Sequence, residues 1–310
     1  MAVNSTEESS SRTQIIANGI LGVCMFLLNV ISLVSILKSR SFPIRQKVVF
    51  CSLLATDTIL GIHMTAVRLL PLHYTTEHIL CQFRLYFGLI LTFATILSNL
   101  LITTERLLTI ILPMNLNKKI TWKKLAAFAI FLWILSSTLT FSLFSDGFQG
   151  PVCQFIVTGN PNGYIFMGSF IFVVFFLIFV MYLYIVKVTR RHIRQIAATM
   201  VGNTPVIHER RAFKSKAELR TTVTVGIIVG VFGMSYCPIA AYIIYCGLFV
   251  SDMFAFTATN QTVFTIMMTF YMMNSVINPI IYILRLKNCR QEMIARILCR
   301  PQPHFENSEP

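Results

Sequence analysis

Apolar and polar positions along this chain change over on the scale of a bilayer. Seven mostly apolar runs lie near 14–37, 47–70, 79–111, 124–144, 163–187, 219–248 and 260–284. Each reaches the length at which a helix crosses a hydrocarbon core. The third run is long enough to tilt or to project beyond the bilayer, and the sixth overruns it at its basic end. Inside the third, Thr92, Thr95, Asn99, Thr103 and Arg106 recur at helical offsets. At about 100° per residue they fall in a sector roughly 80° wide. That stripe is too narrow for a solvated face and too polar for lipid contact, so it predicts a face turned into a helical bundle. It ends at Glu105-Arg106-Leu107, where the bland alternative is an arginine snorkelling to phosphates.

Short polar segments separate the runs, and their charge sets an orientation. Lys38, Arg40, Arg45 and Lys47 follow the first run, and Lys118, Lys119, Lys123 and Lys124 the third. A dense basic stretch from Lys187 to Arg220 follows the fifth, and Arg285, Lys287, Arg290, Arg296 and Arg300 follow the seventh. The alternate loops hold Glu77, Asp146 and Asp252. The positive-inside rule then places the N-terminus outside and the C-terminus in the cytoplasm. Composition agrees: 55% of residues are hydrophobic and 12% charged, about half the charge of a soluble domain. The net charge of +14 would otherwise suggest nucleic acid, but the bases sit where membrane topology demands them.

The division expected is an extracellular tail over 1–13, a seven-helix membrane domain over 14–286, an interfacial amphipathic helix over 287–300 and a disordered cytoplasmic tail over 301–310. Asn4-Ser5-Thr6 is a glycosylation sequon. Met293, Ile294, Ile297 and Leu298 form the apolar face of the short last helix, and Cys299 is a palmitoylation candidate at its end. Cys81 and Cys153 both fall on the oxidising side, where a bridge would tether a loop over the bundle mouth; spacing does not establish the pairing.

Buried chemistry concentrates in three further places. Asp57 lies at mid-membrane, where an unpaired carboxylate costs several kcal/mol. It is read as binding a proton, a cation or polar partners such as Asn29 and Asn278, against the alternative of a protonated acid in a packing network. Phe232 and Tyr236 precede Pro238, which removes a backbone hydrogen bond and bends the sixth helix. Asn274, Asn278 and Tyr282 share one face of the seventh helix around Pro279.

The ordered set Asn29, Asp57, Cys81, Arg106, Trp133, Tyr182, Pro238, Pro279 and Tyr282 resembles the rhodopsin-like class of G protein-coupled receptors over about residues 15–300. The fold class implied is all-α: a seven-transmembrane bundle in the plasma membrane, with no enzyme activity. The sequence departs from the family at Leu107, Tyr236, Val174, Asn99 and Cys289, where tyrosine, tryptophan, proline, an aliphatic residue and phenylalanine are usual. Gly88 stands where receptors for amines carry an aspartate, and Met272 where light-sensing relatives carry the retinal lysine.

The resemblance also implies roles. Arg106 would pair with Glu105 and Glu218 at rest, and opening about Pro238 would admit a heterotrimeric G protein against Arg106, Tyr182 and Tyr282. Pro113 and Met114 would make a second contact, with Asn278 and Pro279 completing the switch. Asp57, Thr95, Asn274, Ser275 and Asn278 are similar to an allosteric sodium site; no other cofactor is implied. An anionic or lipid-like small molecule is expected in the outer half, held by Arg84 and Arg68 above the space left by Gly88. Thr92, Phe93, Tyr236, Tyr242 and Phe270 would enclose the remainder; the alternative is that both arginines snorkel to headgroups or pair with Glu77. An ion or solute transporter, a channel and a receptor-like scaffold that does not signal are the rival readings. Against transport, no repeat relates the two halves and no second buried acid marks a route.

Overall fold

The computed structural model describes the backbone of residues 2–39, 43–69, 78–111, 120–145, 160–198, 205–249 and 258–285. Side chains are described over 16–39, 43–67, 79–111, 120–145, 160–195, 222–249 (apart from 225) and 262–282. Seven helices account for these segments: α1 (Ala2–Lys38), α2 (Ile44–Leu69), α3 (His78–Ile111), α4 (Trp122–Leu143), α5 (Pro161–Ala198), α6 (Pro205–Phe249) and α7 (Ala258–Arg285). Each contains a stretch long and apolar enough to cross a membrane.

Two helices extend beyond their apolar runs. No glycine or proline interrupts residues 2–15, so α1 continues backwards through the segment expected to be an extracellular tail. Helix α5 likewise continues through Lys187, Arg190, Arg191 and Arg194, where Lys187–Ala198 holds no breaker. On the other side of that loop, Pro205 supplies the fixed φ of a helix start for α6.

The helices pack as a closed ring, α1 on α2, α2 on α3, α5 on α6, α6 on α7 and α7 back on α1. Helix α3 contacts α2, α4 and α5 and is the most interior, with 72% of its most apolar window buried. Backbones approach closely where glycine allows it. A Cβ on Gly61 would lie 2.6 Å from the Phe26 nitrogen, so α1 and α2 meet without side chains between them. The core is fixed by Phe93, Phe144, Tyr164, Phe232, Tyr236 and Tyr282, each at most 1% exposed.

Candidate functional site

The polar stripe of α3 faces inward along its whole length: Thr92, Thr95, Asn99, Thr103 and Arg106 are all buried. Several of its hydrogen bonds return to its own helix. Asn99 Nδ2 donates to the Thr95 carbonyl at 2.9 Å, and Thr103 Oγ1 to the Asn99 carbonyl at 3.0 Å. These bonds satisfy buried groups within α3, while Thr92, Thr95 and Arg106 reach Tyr271, Asp57 and Gln46 on the neighbouring helices.

At the basic end of the bundle, Arg106 is restrained from three sides. Its Nε lies 3.8 Å from Glu105 Oε2, a contact made sideways along the helix. The other Glu105 oxygen accepts from Thr109 Oγ1 at 3.1 Å. From α2, Gln46 Oε1 accepts a long hydrogen bond from Arg106 Nη2, 3.4 Å, and the Phe50 ring lies under the guanidinium, 5.4 Å from its centroid. Phe50 in turn takes the Tyr282 ring edge-on at 4.8 Å, which brings α7 into the same contact.

One level deeper, Asp57 is fully buried and joins three helices. Its Oδ1 accepts from Ser275 Oγ at 3.0 Å and from Thr95 Oγ1 at 3.2 Å. Asn278 lies beside the carboxylate, but no donor among the described residues reaches Oδ2 with hydrogen-bond geometry. The side-chain oxygens of Asn29, Asn99, Asn274 and Asn278 likewise accept no hydrogen bond from the described residues. The side-chain nitrogens of Asn274 and Asn278 also meet no acceptor among the described residues, so the seam is polar throughout and unsuited to an apolar filling. Asn29 is not the Asp57 partner that its position suggested. It donates instead to the Met25 carbonyl at 2.8 Å and across to the Ser275 carbonyl at 3.0 Å.

Above the seam, Phe232 and Tyr236 stack at 4.4 Å and are both buried. Phe175 of α5 stacks on Phe232 at 6.2 Å, seated against Gly233, whose Cβ would meet that ring at 2.7 Å. On the other side Tyr236 meets Tyr271 edge-on at 5.2 Å, and the Tyr271 hydroxyl shares a 2.8 Å hydrogen bond with Thr92 Oγ1. An aromatic column therefore runs from α5 through α6 and α7 to the α3 stripe.

The sequence matches that of the 7 transmembrane receptor (rhodopsin family) over residues 7–282. The chain belongs to this family. Among curated proteins the receptor is similar to the rat histamine H2 receptor, 25% identical over 74% of this chain and 64% of that one. It is also similar to the dog adenosine receptor A2a, 27% identical over 68% of this chain and 54% of the relative. The chicken adenosine receptor A2b is 26% identical over 71% and 69%. The match thus spans less than two thirds of the first two of these relatives. Membership and the seven apolar helices make this chain a multi-pass membrane protein of the receptor family.

Within the receptor, the residues expected to form an outer pocket divide. Thr92 faces Tyr271 as described. Tyr242 packs at 6.4 Å on Phe264, and Phe93 is fully buried against Phe170 at 5.3 Å. Phe270, by contrast, is 54% exposed on the outside of the bundle, because one residue of helix rotates the side chain by about 100° and Tyr271 takes the inward place. The room expected above Gly88 is also occupied: a Cβ there would lie 3.1 Å from His63 Nε2. The Arg84 charge reaches that histidine, and Arg84 itself is half-buried.

Tyr182 packs over Gly226 of α6, whose Cβ would meet its Cζ at 2.7 Å. Pro238 and Pro279 lie inside α6 and α7 as expected. Cys81 is disulfide-bonded, and Cys24, Cys51, Cys237 and Cys246 are free thiols. Cys153, Pro113, Met114 and Cys299 lie outside the described residues, as do the side chains of Asn4, Arg68 and Glu218. Sequence reasoning missed four contact residues: Gln46, Phe50, His63 and Tyr271. For Tyr271 a signal existed, since it precedes Ser275 by one helical turn on the inward face.

Proposed function

We propose that this receptor binds an extracellular small molecule carrying an anionic group in its outer half and responds by activating a heterotrimeric G protein at its basic end. Support comes above all from Tyr236. It is fully buried, stacked on Phe232 below and set against Tyr271 beside it, so a change at Thr92 or Tyr271 is felt by α6 next to Pro238. Arg106, with its short-range restraints, is the group that such a change would release.

The anionic preference rests on Arg84 and on what replaces an acid in the outer half. No carboxylate stands at Gly88; the imidazole of His63 fills that space instead, within reach of the Arg84 charge. A planar guanidinium suits a carboxylate or phosphate held by charge-assisted hydrogen bonds. Histamine and adenosine, after which those relatives are named, lack the anionic group that this site calls for. In the same reading the Asp57 seam holds a sodium ion at rest, with Thr95, Ser275, Asn274 and Asn278 offering the other oxygens. Expression with a panel of G protein dissociation sensors, with and without a metabolite library, tests the proposal. Ligand-dependent dissociation by an anionic metabolite supports it. Solute flux in proteoliposomes lacking G protein, with no sensor responding, replaces it with transport.

A further inference from the structure

A cleft of about 240 Å³ opens where α2, α3 and α4 meet at the basic end of the bundle, away from the outer half. Its walls are apolar, formed by Leu101 and Leu108 of α3 and Leu125 and Phe128 of α4, while Arg45 and Lys124 supply two positive charges. The volume falls below that of a pocket for a whole drug-sized molecule, and suits one end of an acyl chain. Phe128 is 48% exposed and continues into the outward face of α4 with Phe131 and Trp122. The cleft is therefore reached sideways from the bilayer rather than from water.

Charge identifies the occupant. Arg45 Nη1 is buried and meets no acceptor among the described residues. A buried guanidinium nitrogen without an acceptor is costly, and a phosphate oxygen is the acceptor that matches it best. Glu105 also lines the cleft: one carboxylate oxygen accepts from Thr109, and the other accepts no hydrogen bond among the described residues and lies 3.8 Å from Arg106 Nε. Lys47, by comparison, spends its charge elsewhere, donating to the Leu37 carbonyl at 3.1 Å.

We infer that this cleft is a binding site for an anionic phospholipid of the adjacent leaflet, with its phosphate on Arg45 and Lys124 and the end of one acyl chain on Leu101, Leu108, Leu125 and Phe128. The inference does not depend on the ligand proposed for the outer half. It places an anion one residue from the Arg106 pair, through the shared wall at Glu105.

The test uses the purified full chain in mixed micelles holding equal phosphatidylserine and phosphatidylcholine, with retained lipid counted by native mass spectrometry. The parent protein is expected to retain phosphatidylserine preferentially. Arg45→Gln should cut that preference about fivefold, the factor carried by one basic residue near an anionic headgroup. Lys47→Gln should leave it unchanged. Leu108→Trp, which narrows the cleft at constant charge, should also lower phosphatidylserine retention; if it does not fold, Leu108→Phe takes its place. Equal losses in Arg45→Gln and Lys47→Gln would mean diffuse surface attraction and overturn the site. So would full retention when the cleft is narrowed, or displacement of the lipid by inorganic phosphate at matched concentration.

Discussion

Replacing Phe50 by leucine should raise ligand-free signalling, because Phe50 is the residue through which both α2 and α7 hold Arg106. The guanidinium lies 5.4 Å from the ring centroid, with Phe50 3% and Arg106 9% exposed. A desolvated cation–π contact of this kind stabilises by about 1–2 kcal/mol. The edge-on contact with Tyr282 at 4.8 Å adds about 0.5–1.5 kcal/mol. Leucine keeps most of the volume, and part of the lost packing is regained in either state. A net bias of about 1–2 kcal/mol toward the closed state therefore disappears, which is a five- to thirtyfold shift in its ratio to the open state. The Gln46 hydrogen bond, stretched to 3.4 Å, carries about 0.5 kcal/mol or less, so Gln46→Ala should change the ratio only about twofold. The assay is basal G protein sensor dissociation at matched surface expression, in a receptor already shown to couple. Unchanged basal signal in Phe50→Leu, or a larger effect from Gln46→Ala, would refute the assignment of the restraint to the ring.

Other outcomes follow from the same geometry. Sodium chloride should raise the unfolding temperature of the purified receptor relative to N-methylglucamine chloride, and Asp57→Asn should abolish that difference; an unchanged response would make the seam a hydrogen-bond network only. Glu218→Ala should raise basal signalling roughly tenfold if the α6 acid helps to hold Arg106, and no change would remove that pair from the mechanism. Arg84→Ala should cost one to two decades of potency toward an anionic agonist, matching the roughly 1.5–3 kcal/mol of a charged hydrogen bond; full potency at normal surface expression would defeat the anionic reading. Gly226→Ala should destabilise by about 1–3 kcal/mol, since the new Cβ meets Tyr182 Cζ at 2.7 Å, and Tyr182→Ala should relieve most of that loss in the double variant.

What the sequence made legible was whatever one helix determines alone. The α3 stripe is periodic within a single element, so its inward direction followed from spacing and holds for all five residues. Span positions followed from the same one-dimensional pattern, and only the ends moved, where helix continues beyond the apolar run. Contacts between helices were a different matter. Gly88 suggested space because glycine has no side chain, yet whether that space stays open depends on His63 from α2, which no α3 pattern encodes. Phe270 and Tyr271 differ by one position and by opposite exposure, 54% against 3%, a distinction that requires knowing the rotation of α7 in the ring. Asn29 and Asp57 are both polar and lie within apolar spans, which suggests a pair. The Asn29 side-chain amide reaches the Ser275 backbone instead.

The contacts around Arg106 also constrain how an opening of α6 could free it. Among the described residues the arginine is held from α2 by Gln46 and Phe50 and from its own helix by Glu105. Helix α6 is tied more closely to α5: Thr189 and Thr222 share a buried 3.1 Å hydrogen bond, and the α5 rings Tyr182 and Phe175 sit against Gly226 and Gly233. A swing of the inner half of α6 about Pro238 therefore disturbs α5 before it disturbs the α2 contacts of Arg106. The connection that does reach those contacts is α7, through Tyr282 on Phe50, with Pro279 one turn before it. Tyr271 starts the same helix beside Tyr236, and Ser275 bonds Asp57 between them. Under the proposed function, a signal entering at Thr92 thus has two exits: along α6 to open its basic end to a G protein, and along α7 to loosen Phe50 from Arg106. Cross-linking Thr189→Cys to Thr222→Cys would hold the first exit while leaving the second, so Phe50→Leu should still mobilise Arg106 in that background but lose its effect on G protein dissociation.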